Sequence, residues 1–350
     1  MNDRPRLAIT MGDPAGVGPE LALKIGIMPV VQRAARLVFI GSEKTFTENA
    51  RLLGLPLPWS ADVPKDVRAE LIDIGDAKEP ITCGEVSAEA GRLSFAAVER
   101  GIAMALDGSV DGIVTAPISK DAWHRAGVKY PGHTELLADR SGVDDFALML
   151  VLDDWRVLHV STHVSLRHAI DMVTEERILR MLRLFDEGLR ALGCTKPVIG
   201  VAGLNPHASE GGLFGDEEAR IIAPAIVKAR SEGIEARGPI PPDTVFARGR
   251  TTEFDGVLAM YHDQGHVAVK TLTFEPGADG RWAAVHGVNM TVGLPIVRTS
   301  VDHGVAFDIA GQGIARPESM VEAVLLGARV AAARKTRSSD ATRPSRRGCR

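Results

Sequence analysis

Arg6-Leu7-Ala8-Ile9-Thr10-Met11-Gly12-Asp13-Pro14-Ala15-Gly16-Val17-Gly18-Pro19-Glu20 is the stretch whose reading decides the fold. Its apolar start, Arg6–Thr10, reads as a buried strand, and residues 19–28 read as a helix with Pro19 at its first position. Strand, glycine-rich turn and helix together open a βα unit. Two roles are open to the turn. Its amides, at a helix N-terminus, can take an anion; or the glycines simply make the turn tight. The pattern is not a P-loop, and it lacks the third glycine of the dinucleotide fingerprint, with proline at Pro19.

Outward from this unit the same alternation continues. Arg36–Gly41 reads as a strand before a helix over Glu43–Leu53, and a helix over residues 87–106 leads into a strand over 111–116. Residues 146–152 and 155–160 read as two strands around a hairpin turn at Asp153-Asp154. Residues 174–192 carry Ile178, Met181, Leu182, Phe185 and Leu189 at helical spacing, behind a capping threonine and ahead of Gly193. A last helix is expected over 318–333. Strands alternating with amphipathic helices define an α/β protein with a largely parallel sheet. No repeat and no Pro/Ser-rich linker divides the chain, so two subdomains would have to be interleaved rather than strung in series.

The 350 residues, 45% hydrophobic and 25% charged, suit a globular protein with a sizeable core. Cys83, Cys194 and Cys349 are too few and scattered for a disulfide framework or a cysteine metal motif, which fits a reducing cytosol. No apolar signal core opens the chain, and no run approaches the roughly 20 residues of a membrane span. Net charge is −4, yet residues 334–350 hold seven Lys/Arg against one Asp. That tail reads as a disordered, solvated end. With no aromatics interleaved to stack bases, it speaks against nucleic-acid function.

The chemistry concentrates at strand ends. His163, His207 and His262 each follow an apolar run (155–160, 197–204 and 256–260). Ligands of open α/β sheets bind at the carboxyl ends of strands, and three imidazoles delivered there can converge on one metal ion. One such histidine would pass for an ordinary loop residue; three in one context point to a site. His266, four residues after His262, would share its face on a helix, although Gly265 weakens that helix. Asp263 suits a carboxylate that orients His262. His168 reads as structural. In Pro131-Gly132-His133-Thr134-Glu135 a histidine, a hydroxyl and free amides coincide at a helix start, a combination suited to phosphate, with Thr134 as a simple N-cap the alternative. Lys270, Asn289 and Arg298 are polar residues among apolar neighbours and call for a partner, which an anionic substrate would supply. Residues 302–315 form a glycine-punctuated loop with polar handles.

Gly12-Asp13-Pro14-Ala15-Gly16-Val17-Gly18-Pro19-Glu20, Thr115-Ala116-Pro117-Ile118-Ser119-Lys120, Gly132-His133-Thr134-Glu135, Asn205-Pro206-His207-Ala208, Pro242-Asp243-Thr244 and Tyr261-His262-Asp263-Gln264-Gly265 resemble the 4-hydroxythreonine-4-phosphate dehydrogenase family. So does the run from Gly293 to Gly304, and the likeness spans nearly the whole chain up to about Ala333. The resemblance implies an isocitrate/isopropylmalate-dehydrogenase-like α/β fold: residues 1–333 as one unit of two interleaved subdomains with a cleft between them, 334–350 being the tail. It implies NAD, one divalent metal ion (zinc, magnesium, manganese or cobalt), and a homodimer with its active site at the subunit interface. The family's metal ligands fall on His163, His207 and His262, which leaves His266 out. Its substrate contacts fall on His133, Thr134, Lys270, Asn289 and Arg298, with Asp243 an acidic residue near the reacting carbons. The loop from Asp302 to Ala315 is similar to the cofactor loop of isopropylmalate dehydrogenases, which puts NAD near Asp302, His303, Gly304 and Asp308. Either aspartate would disfavour a 2′-phosphate.

The implied reaction is oxidation and decarboxylation of 4-hydroxy-L-threonine 4-phosphate to 3-amino-2-oxopropyl phosphate, on the route to pyridoxal phosphate, with Lys270 or Asp243 accepting the proton. A paralogous branch oxidises D-threonate or D-erythronate 4-phosphate. Residues 130–137 and Gly265-His266 are similar to that branch as well, and the stretch between Lys270 and Asn289 looks extended over 273–282 relative to the biosynthetic enzymes. A third branch acts on aromatic dicarboxylate cis-dihydrodiols and needs no phosphate cradle. A catalytically silent metabolite-binding regulator is the reading from another class.

Overall fold

The computed structural model describes residues 4–276, 282–285 and 287–341, and the side chains of 4–272 and 287–336. In chain order its strands are β1 Arg6–Thr10, β2 Arg36–Gly41, β3 Glu70–Asp73, β4 Gly112–Thr115, β5 Ala147–Leu152, β6 Trp155–His159 and β7 Val198–Ala202. β8 Glu235–Ile240, β9 Gly256–Ala259, β10 Phe274–Pro276, β11 Trp282–Val285, β12 Val288–Val292 and β13 Arg298–Val301 follow. Eleven of them form one sheet in the order β3-β2-β1-β4-β13-β12-β5-β6-β9-β7-β8. Its flanks are parallel, as the βα alternation predicts. Its centre is not: β13, β12, β5 and β6 run antiparallel to one another. The hairpin at Asp153-Asp154 supplies one of these reversals. The late strands β12 and β13 return between β4 and β5, so the two ends of the chain share one half of the sheet. β10 and β11 pair separately where the sequence is extended; residues 277–281 of that extension lie outside the described residues.

Both faces of the sheet are covered, which is why its strands are continuously apolar. Alternate residues of a strand point to opposite faces. Leu7 and Ile9 of β1 enter one core while Ala8 enters another with Val38, Ile40, Val98 and Trp123. The helix Glu175–Ala191 shows how local sequence sets an element. Thr174 Oγ1 accepts from Arg177 N at 3.3 Å, and Ile178, Met181, Leu182, Phe185 and Leu189 are all buried. Each such side chain contributes roughly 1.5–3 kcal/mol. The helix ends before Gly193, where φ is 103°.

Two expectations need correction. The glycine-rich turn is not an anion cradle, because its amides are engaged inside the protein: Asp13 N donates to Pro117 O, Ala15 N to Asp13 Oδ1, Gly16 N to Asp13 O and Val17 N to Val305 O. Gly12 is required by geometry, with φ at 71° and a Cβ position only 2.4 Å from Pro117 O. The last helix, expected to stop at Ala333, runs Glu318–Ala341. The start of the basic tail therefore belongs to it: Arg334 donates to the carbonyls of Leu294 and Pro295, and Lys335 pairs with Asp111 at 2.6 Å. Residues 342–350 lie outside the described residues. Among those described, no helix is long and apolar enough to cross a membrane.

Candidate functional site

A cavity of about 470 Å³ opens where β4, β6, β9 and β13 end, and their following segments build its wall. Arg298, the first residue of β13, lies at its floor. The register sets it beside Thr291 of β12, and Nη1 and Nη2 donate to Thr291 Oγ1 (3.1 Å) and Thr115 Oγ1 (2.9 Å). The residue is 3% exposed, Nε has no partner, and no carboxylate stands within ion-pair distance among the described residues. Burial pulls its pKa down to about 10, against a smaller opposing pull from Glu135, so it stays cationic at neutral pH.

The helix His133–Ser141 starts at the same cavity with no side-chain cap, so Thr134 is not its N-cap; Gly132 is. His133 and Thr134 line the wall. The His133 ring meets Trp123 edge-on at 5.7 Å and its Nε2 has no partner. Burial, then Arg298 and Lys120, hold its pKa well below that of an ordinary imidazole, so it is neutral. Across the cavity Asn289 Nδ2 donates to Asp302 Oδ1 at 3.1 Å, leaving Asn289 Oδ1 unpartnered. Lys270 Nζ stands 3.9 Å from Asp302 Oδ2. Asp302, His303 and Gly304 all line the wall; Asp302 is turned toward Asn289 and Lys270, and His303 Nδ1 lies 2.9 Å from Gly304 O.

His163 and His262 share this cavity, their ring centroids 5.4 Å apart. Asp263 Oδ1 lies 2.7 Å from His262 Nδ1, the carboxylate–imidazole contact that fixes a ring with its other nitrogen free for a ligand. Burial, then Lys120 and His262, lower the His163 pKa and keep it in the neutral, ligating form. The helix His262–Thr273 forms despite Gly265 and puts both histidines on one face, stacking His262 on His266 at 3.7 Å, with His266 Nδ1 3.1 Å from His262 O. Gly265 is needed there because a Cβ would stand 2.3 Å from His159 Nε2.

Three anticipated residues stay off this wall. His207 lies in an exposed left-handed turn (φ 55°) beside Phe214, Asp243 in the exposed first turn of the helix Pro242–Gly249, and Asp308 on the exposed loop beyond Gly304. Among the described residues no three His, Cys, Asp or Glu side chains of one chain gather as a metal site. His168 is exposed, 4.0 Å from Asp171, and outside the cavity. Residues without an assigned role also appear on the wall: Thr115, Lys120 and Glu135. The strand-end context that marked the histidines holds for Thr115 and Lys120 too, since both belong to the segment leaving β4. Buried His159 gave no such sign; it is the last residue of an apolar strand.

A buried cation, a helix start without a side-chain cap and two imidazoles held neutral, His133 and His163, thus border one cleft. The family described as pyridoxal phosphate biosynthetic protein PdxA matches residues 32–327. A D-threonate 4-phosphate dehydrogenase of Bordetella bronchiseptica is 45% identical over 338 residues, 93% of each chain. A 4-hydroxythreonine-4-phosphate dehydrogenase of Beijerinckia indica subsp. indica is 45% identical over 327 residues, 91% of this chain and 93% of that one. The crystal structure of a 4-hydroxythreonine-4-phosphate dehydrogenase from Klebsiella pneumoniae superposes with a TM-score of 0.81 at 42% identity, covering 94% of this chain and 98% of that one. The chain belongs to the PdxA family and is an oxidoreductase acting on a CH–OH group.

Proposed function

We propose that a homodimer of this chain oxidises the hydroxyl β to the carboxylate of a four-carbon acid 4-phosphate, with NAD as hydride acceptor and one divalent metal ion. One observation carries the reading: Arg298 is a buried cation without a counter-ion among the described residues, which a phosphate would supply. His133, Thr134 and the amides of the uncapped helix start face the same space. The phosphate end is thereby fixed, and the hydroxyl end falls toward His163, His262 and Lys270.

The metal donors fit as a composite set. His163 and His262 would hold the ion from one chain, and His207 from a second copy. The exposed apolar residues Leu213 (76%) and Phe214 (48%) near His207 support a subunit contact there. Such an ion, when bound, supplies Lewis acidity that eases loss of the hydroxyl proton; imidazole donors suit zinc or cobalt better than magnesium or manganese. Lys270 would accept that proton, its side chain held in place by Asp302, and NAD, when bound, would supply the hydride acceptor. Asp243, off the wall, would act only from the second copy. The resulting β-keto acid loses carbon dioxide. His303 and Gly304 are the cofactor-side wall, and Asp308 lies beyond it.

Relatives at 45% identity carry both substrate names, so 4-hydroxy-L-threonine 4-phosphate and D-threonate 4-phosphate are both candidates. NADH formation by metal-loaded protein decides between them, with D-erythronate 4-phosphate as the third substrate. Preference for the amino acid places the enzyme on the pyridoxal phosphate route, and preference for a sugar acid in catabolism. Oxidation of an aromatic dicarboxylate cis-dihydrodiol with silence on all three phosphates overturns the proposal.

A further inference from the structure

Charge balance in the cavity leaves a phosphate dianion under-compensated. Arg298 supplies one positive charge, and His133 is neutral. Lys270 lies 3.9 Å from Asp302 and belongs to the opposite wall. The remaining cation is Lys120, at the start of the helix Lys120–Arg125, where Ser119 Oγ caps Ala122 N. Its side chain runs over Gly132, the N-cap of the His133–Ser141 helix: Lys120 Cε lies 3.5 Å from the point where a Gly132 Cβ would stand. Glu135 Oε2 approaches the same point at 3.4 Å, so a carboxylate also borders the site. Formal charges on the cavity wall are Lys120, Lys270 and Arg298 against Glu135 and Asp302. Without Lys120 these formal charges cancel, and only Arg298, the helix start and a bound metal ion would favour a dianion there.

We propose that Lys120 is a substrate-binding residue, the second cation of the phosphate site, reaching over Gly132 to share with Arg298 the phosphate seated at the start of the His133–Ser141 helix. This rests on the reading of Arg298 as the phosphate's buried partner. The Lys120 side chain lies within van der Waals reach of the Gly132 Cβ position, which places it beside the start of the His133–Ser141 helix. Lys120 is on the exposed rim, so it contributes less than a fully buried partner and its effect is screened by salt.

Protection of the purified full-length protein against thermal unfolding by inorganic phosphate, in wild type, Lys120→Met, Lys120→Arg and Arg298→Met, is the test. Phosphate binding weakened about tenfold in Lys120→Met, and largely restored in Lys120→Arg, is expected. Arg298→Met loses protection altogether. If Arg298→Met is protected as well as wild type, the phosphate reading of the floor fails. If only Arg298→Met loses protection and Lys120→Met matches wild type, the Lys120 proposal is overturned while the floor stands. Turnover supplies the second readout: Lys120→Met raises KM for a 4-phosphate substrate and leaves the unphosphorylated acid unaffected. Equal losses on both would place Lys120 on the carboxylate and overturn the proposal.

Discussion

At the residue scale the account rests on groups whose environment does not suit them unless a ligand is bound. Arg298 is the clearest. Replacing it with methionine removes an uncompensated buried cation, so the ligand-free protein is expected to unfold at the same temperature as wild type or higher. Its kcat/KM on a 4-phosphate substrate should fall by about 10²-fold or more. A variant both unstable and active would contradict this. Asp13 makes a second case. Its side chain is fully buried, Oδ2 has no partner, and burial raises its pKa to about 6 against backbone hydrogen bonds from Ala15 and Ser119. A carboxyl whose folded pKa lies above its unfolded value binds its proton more tightly when folded. Its contribution to stability is then full below about pH 4 and disappears as pH rises through about 6. Asp13→Asn should remove that loss, so the stability of wild type relative to the variant should drop by up to about 3 kcal/mol from pH 4 to pH 8. Denaturant titrations at the two pH values check it; a constant difference would contradict it.

At the element scale the helix His262–Thr273 depends on one close approach. Gly265→Ala puts a methyl 2.3 Å from His159 Nε2 in a packed column of imidazoles. The expected cost is about 1–3 kcal/mol, with weaker metal binding because His262 is carried by the same turn. Adding His159→Ala should recover part of both. Metal affinity by competition with a chelator, and thermal unfolding, measure the pair; a benign Gly265→Ala would show that the column yields freely. Elements were also the most legible level of the sequence. Ile178, Met181, Leu182, Phe185 and Leu189 defined their helix because period and burial agree there. Of the three histidines that follow apolar runs, His163 and His262 share the cleft, whereas His207, marked by the same context, lies off it. Lys120 was harder, because a lysine at a helix start reads as surface charge until the later Gly132 turn is seen beneath it. His159 was illegible, since a histidine ending a buried strand has no periodic mark of its own.

For the whole molecule, the antiparallel centre of the sheet beyond the hairpin at Asp153-Asp154 was the part hidden from the sequence. Alternating βα units predict parallel neighbours, and nothing local tells β12 and β13 to return between β4 and β5. That return is what brings Arg298 to Thr115 and Asn289 to the same cleft as His133. His207, in the turn after β7, lies off this cleft, and in the proposed metal set a second copy supplies it. Mixing inactive His163→Ala with inactive His207→Ala and allowing subunits to exchange tests this. Heterodimers would hold one intact and one doubly defective site, and an equal mixture should recover about one quarter of wild-type activity. No recovery, with exchange shown by mass, would place all three histidines in one subunit.

In the proposed function this cleft binds its substrate by the phosphate and oxidises the other end. The most direct measurement is NADH production by the metal-loaded wild type from D-threonate 4-phosphate and 4-hydroxy-L-threonine 4-phosphate, each beside its unphosphorylated counterpart. The account predicts that the better 4-phosphate exceeds its unphosphorylated form in kcat/KM by about 10³-fold or more. Equal rates with and without the phosphate, or no NADH from either phosphate, would contradict it.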